Sequence, residues 1–156
     1  MAANDKTLKT AKGGLLAPQH YSQEIDDYEV TQGTKGASHV YVRNFPQDVT
    51  LQDAASNDNN GAPFSPTNGN CVLTFEITGT STSRTVFFEL AGPSGKYMPV
   101  TAFSVTDATK FDSQCTGGSN SAPESWQVEV PAGYSFRTRI GAVKGGNVTI
   151  KGKAVT

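Results

Sequence analysis

Residues 71–91 read CVLTFEITGTSTSRTVFFELA, and this stretch decides the fold. In its first half Leu73, Phe75 and Ile77 alternate with Val72, Thr74, Glu76 and Thr78, the period of two that gives a strand one apolar face. After Thr80-Ser81-Thr82-Ser83, the same alternation returns with Val86, Phe88 and Leu90. Two strands around a short polar turn predict an antiparallel hairpin.

The same pattern recurs downstream. Trp126, Val128 and Val130 alternate with Gln127 and Glu129; after Pro131-Ala132-Gly133, Phe136, Thr138 and Ile140 alternate with Arg137 and Arg139. A second hairpin is expected there, with Trp126 on its core face. Gly145-Gly146-Asn147 then turns the chain into a last strand through Val148 and Ile150. Upstream, strands are expected near 28–31, over 38–45 with Val40 and Val42 on one face, and over 49–54; residues 100–106 supply another. Residues 56–70 and 107–124 lack periodicity and read as long loops.

No amphipathic helix is found. Roughly seven or eight short strands with glycine-rich turns predict an all-β fold, a β-sandwich of jelly-roll or immunoglobulin-like kind. Residues 1–36 read as an extended N-terminal arm and 37–156 as the sandwich domain. In the arm, Lys6, Lys9 and Lys12 accompany too few apolar residues to bury a helix, and Leu15-Leu16-Ala17-Pro18 forms a small apolar anchor that proline keeps extended.

The 156 residues suffice for one core of ordinary size. Only 17% are charged and the formal net charge is −1, so the many phosphate contacts of nucleic-acid binding are not expected. Met1-Ala2-Ala3-Asn4-Asp5-Lys6 lacks the apolar core of a secretory signal, and no run approaches the roughly 20 apolar residues of a membrane span. Synthesis in the cytoplasm is expected, with no membrane partner.

Chemistry-bearing patterns are sparse. His20 and His39 are the two histidines, and neither has a cysteine, histidine or carboxylate at metal-ligand spacing. Gly92-Pro93-Ser94-Gly95 is a turn and not a nucleophile elbow. Glu76 and Glu89, a conceivable glycosidase pair across the hairpin, alternate with core positions and read as solvated. Asp53 and residues 57–61 carry oxygen ligands, but Ser56 and Thr67 occupy the ends of the calcium-loop pattern. Cys71 and Cys115 read as free thiols, with a disulfide between them left open. Neither catalysis nor a cofactor or metal is expected. Phe64, Tyr97 and Phe111 lie in or beside loops and are the candidates for recognition.

The segment from Ala11-Lys12-Gly13 through Ala17-Pro18-Gln19-His20-Tyr21, then Asp27-Tyr28-Glu29-Val30 and Gly33 to Gly36-Ala37, resembles the opening of small virion structural proteins of tailed bacteriophages. The resemblance implies a capsid decoration, collar, fibre or tail accessory protein, made in the host cytoplasm and assembled into the virion. Its partners would be other virion proteins and further copies of itself, a homo-oligomer. Leu15, Leu16, Pro18, Tyr21 and Tyr28 would anchor the arm. The alternative is a glycan- or receptor-binding module using Phe64, Tyr97 and Phe111 against a surface glycan.

Overall fold

The computed structural model describes residues 7–10, the strand backbones at 19–22, 27–30, 33–34 and 37–38, and residues 46–120 and 122–156. The chain divides into two compact units, Met1–Arg43 and Asn44–Thr156. In the first, β1 (Gln19–Ser22) pairs antiparallel with β2 (Asp27–Val30), and β3 (Gly33–Thr34) with β4 (Ala37–Ser38). The Gln19 side-chain amide holds Lys9 at both backbone groups: Oε1 accepts from its N–H at 2.8 Å and Nε2 donates to its carbonyl at 3.3 Å. The strand expected over 38–45 lies outside the described residues, apart from Ser38 in β4.

The second unit is the predicted all-β sandwich. Its strands are β5 (Gln47–Ala55), β6 (Cys71–Gly79), β7 (Ser83–Ala91), β8 (Tyr97–Pro99), β9 (Ala102–Ser104), β10 (Phe111–Asp112), β11 (Gln114–Gly117), β12 (Glu124–Val130), β13 (Ser135–Lys144) and β14 (Val148–Val155). One antiparallel sheet runs β10-β9-β12-β6-β14-β5. The other runs β11-β7-β13, and β8 also pairs with β7. Alternation placed the core correctly: Leu73, Phe75, Ile77, Trp126, Val130 and Ile150 are buried on the first sheet, and Val86, Phe88, Phe136 and Ile140 on the second. Phe88 bridges the two, with ring centroids 5.5 Å from Phe75 and 5.0 Å from Trp126. Each such side chain contributes about 1.5–3 kcal/mol on burial.

Both expected hairpins are absent. β6 pairs with β12 and β14, whereas β7 pairs with β13, β11 and β8; β12 and β13 likewise belong to different sheets. Each connection is an arch that carries the chain across the core. Alternation is satisfied equally by strands lying side by side and by strands facing each other. Here the turn contacts choose the latter: the N–H groups of Thr80 and Ser81 both donate to the Asn147 carbonyl at 3.0 Å, and Thr82 N–H donates to Lys144 at 2.9 Å. This seats the β6–β7 arch on the β13–β14 turn. Gly146 is required there, because at its φ of +150° a Cβ would lie 2.5 Å from the Thr80 carbonyl group.

The loops are also more ordered than their composition suggests. Residues 107–124 contain β10 and β11. Residues 56–70 lie along the free edge of β13, where Asn59 exchanges backbone hydrogen bonds with Ile140 and Phe64 with Phe136.

Candidate functional site

The outer face of the six-stranded sheet carries one cross-strand row fixed by register: Phe111, Phe103, Gln127, Thr74, Lys153 and Asp48. Phe111 is 63% exposed on the edge strand, with its ring centroid 5.1 Å from that of Phe103. Gln127 Nε2 donates to Thr74 Oγ1 at 3.1 Å, and Lys153 Nζ meets Asp48 Oδ1 at 2.6 Å. The row therefore grades from an open aromatic edge to a paired charge. Phe111 stands on the short edge strand β10 and not in the loop expected, and its ring is open to solvent.

Phe64 is 6% exposed and belongs to the core, because its backbone pairing with Phe136 turns the ring inward. Tyr97 is also committed, on β8 and not in a loop. Its ring lies 3.8 Å from the Arg137 guanidinium carbon, and its hydroxyl shares a 3.1 Å hydrogen bond with Ser135 Oγ. Leu15, Leu16 and Pro18 lie outside the described residues. Tyr21 and Tyr28 are register partners in the β1–β2 hairpin.

The second sheet's outer face carries a cluster that the sequence did not announce. Arg137 sits directly opposite Glu89, and Arg139 opposite Phe87. Arg137 Nε donates to Glu89 Oε2 at 2.8 Å and Arg139 Nε to Oε1 at 2.9 Å. The Arg139 guanidinium stacks on Phe87 at 3.9 Å. The register places Tyr97, Arg137, Glu89, Arg139 and Phe87 into one alternating array of ring, cation and carboxylate. Burial disfavours the Glu89 anion, but hydrogen bonds from Arg139 and Arg137, and then their charges, outweigh it and hold the carboxyl below its ordinary range. Glu89 is thus not the solvated residue expected from alternation, since it is only 9% exposed. It also stands on a different sheet from Glu76, so the two carboxylates do not form a pair. The available signal was Arg137-Thr138-Arg139 against Phe87-Phe88-Glu89, but it needs the register to be read.

Inside the sandwich, Arg84 is 1% exposed. Its Nη2 reaches Glu124 Oε1 at 2.7 Å, Nε donates to Ser119 Oγ at 3.3 Å and Nη1 to Cys115 Sγ at 3.4 Å. Glu124 Oε2 accepts from Trp126 Nε1 at 3.3 Å. The pair links the two sheets through the core. Both cysteines are free, as their reading as unpaired thiols had it, and both are buried, on strands of different sheets. Burial pushes the Cys115 thiol up to about 12.

Among the described residues, no group of three or more His, Cys, Asp or Glu converges to hold a metal. In the acidic loop, Asn59 Oδ1 accepts from Gly61 N–H at 2.7 Å and Asp53 pairs with Lys151 at 3.1 Å. No helix among the described residues is long and apolar enough to cross a membrane.

No curated protein sequence matches this chain. Among solved structures, the SPBc2 prophage-derived protein YomS matches with a TM-score of 0.67 at 24% identity, covering 76% of this chain and 100% of YomS. The PBSX exported protein XepA matches with a TM-score of 0.69 at 22% identity, covering 97% of this chain and 48% of XepA. The chain thus spans about half the length of the XepA structure, and both likenesses concern the fold. The XepA family model matches residues 46–154. That match overturns the resemblance of the first quarter to virion proteins of tailed bacteriophages, because it lies wholly outside the residues that carried it. Proline, glycine and tyrosine in the opening segment are ordinary turn and strand chemistry, as the β1–β2 pairing illustrates. On the match across its whole sandwich, this chain belongs to the XepA family.

Proposed function

We propose that this chain is a structural protein of a phage-like element, a β-sandwich that acts by associating with other proteins of the particle and with further copies of itself. The observation that carries this reading is Phe111, exposed on the outermost strand of its sheet with its ring tilted against that of Phe103. An open aromatic pair beside a strand edge is an anchor that a protein partner covers. YomS, which shares the fold, is described as prophage-derived, and this supports the setting.

In this reading the chain is made in the host cytoplasm and leaves it in assembled form, in keeping with the description of XepA as exported. It performs no catalytic step. Residues 1–36, with Leu15, Leu16, Pro18, Tyr21 and Tyr28, dock the sandwich on its partner. Sedimentation of the full chain beside Phe111→Asp tests the edge: a homo-oligomer that dissociates in the variant, with unchanged circular dichroism, is expected. Equal masses for both would overturn it. Loss of particle incorporation on removal of residues 1–34, with the fold intact, would support the arm.

Surface-glycan recognition is the second reading, favoured by the hydrogen-bonded Gln127 and Thr74 in the same row as the two rings. Saturable glycan binding that Phe111→Ala abolishes, with unchanged mass, would prefer it.

A further inference from the structure

The geometry points to a binding site for a phosphodiester anion at Arg137 and Arg139, on the outer face of the four-stranded sheet and independent of the Phe111 edge. Both guanidiniums spend only Nε on Glu89. Their η nitrogens have no hydrogen-bond partner among the described residues, and these are the forked donors that bond oxyanions two at a time.

The forks are held before any ligand arrives. Arg137 is fixed between the Tyr97 ring and one oxygen of Glu89; Arg139 is fixed between the Phe87 ring and the other oxygen. Side-chain exposures of 20% for Arg137 and 36% for Arg139 leave part of each open to solvent, while Glu89 at 11% is covered. An arginine that binds by chance must first surrender its rotamer freedom. These two have already done so, which removes much of the ordering cost of binding.

Spacing and charge select the ligand. Positions two apart on a strand lie about 6.6–6.8 Å apart on the same face, a span that one tetrahedral anion can bridge with oxygens directed to separate guanidiniums. A planar carboxylate is satisfied by a single fork. Two arginines and one glutamate leave one net positive charge, so a monoanionic phosphodiester neutralises the cluster. Asp58 is the neighbouring carboxylate beyond Phe87. It stands beside Gly141, where a Cβ would meet Phe87 at 3.5 Å and Asp58 at 3.8 Å, and it accepts from Val143 N–H at 3.5 Å. It further disfavours a dianion.

The test titrates the full chain with glycerophosphoglycerol by calorimetry at fixed ionic strength, beside Arg139→Gln, Arg139→Lys and Lys151→Gln. Lys151 lies on the other sheet and controls for general charge. Expected is one saturable site per chain, weakened about tenfold or more, or roughly 1.4 kcal/mol, by both Arg139 variants and unchanged in Lys151→Gln. Sedimentation with phosphatidylglycerol vesicles distinguishes sources. Arg139-dependent sedimentation identifies a lipid headgroup as the phosphodiester, whereas binding of the soluble ester alone identifies a soluble or polymer phosphodiester. Absence of saturable binding in both assays overturns the site. Full retention of affinity in Arg139→Lys, or equal loss in Lys151→Gln, also overturns it, because either result reduces the effect to charge without the fork.

Discussion

Gln52 Nε2 donates to the main-chain carbonyl of Thr138 at 2.7 Å, joining β5 of one sheet to β13 of the other. Gln52 is 3% exposed, and the bond falls between the two points where residues 59 and 64 pair with β13. Gln52 also donates weakly to the Asn59 carbonyl at 3.4 Å, so one side chain helps close the sandwich edge. Replacement Gln52→Ala leaves the Thr138 carbonyl without this donor and should cost about 1–3 kcal/mol by chemical denaturation. Gly61→Ala should cost at least as much, since at its φ of +71° a Cβ would lie 2.5 Å from Gln52 Nε2. Unchanged midpoints for both would refute the closure role.

The Arg84–Glu124 pair predicts an asymmetry. Glu124→Ala strands a guanidinium whose side chain is fully covered and should destabilise the fold by about 3 kcal/mol or more. Arg84→Met in the Glu124→Ala background should recover part of that loss, because the uncompensated charge goes with it. A double variant less stable than Glu124→Ala alone would contradict this account.

Cys115 gives an alkaline prediction. Its thiol is raised from 9.0 to about 12 in the folded protein by burial, with the Arg84 charge opposing. The stabilisation is therefore complete below pH 9 and falls as the pH rises toward 12. Cys115→Ala should flatten that alkaline loss in denaturation midpoints. Thiol reagents at pH 8 should label neither cysteine in the folded protein and both in denaturant; prompt labelling of native protein would be the contrary result.

Glu89 acts in the opposite pH range. Its carboxyl is held below the ordinary value of 4.5, so its stabilisation is present above that pH and lost as the pH falls through the folded value. The acid limb of stability for Glu89→Gln should be shallower than for the native chain. Near neutral pH the variant should lose about 1.5–3 kcal/mol for hydrogen bonds to a charged group. Parallel acid limbs would exclude Glu89 as a source of the pH dependence.

The sequence by itself determined the fold class, the buried faces and the core. Leu73, Phe75, Ile77, Val86, Phe88 and Trp126 were all legible because alternation is local and burial follows from it directly. Phe111 lies in a stretch without apolar periodicity, and its place on the edge strand β10 was not legible there. Tertiary structure alone decided which strands pair. β6 and β7 show the same alternation whether they lie side by side or face each other, and contacts of Thr80 and Ser81 with Asn147, 66 or more positions away, made them face each other. The fates of Phe64 and Glu89 followed from the same cause. Phe64 was drawn inward when its loop paired with β13, and Glu89 met Arg137 and Arg139 only because β7 and β13 are neighbours in one register. Hydrophobic period is written along the chain, whereas register and sheet membership arise between distant segments, and the guanidinium stack is a product of register.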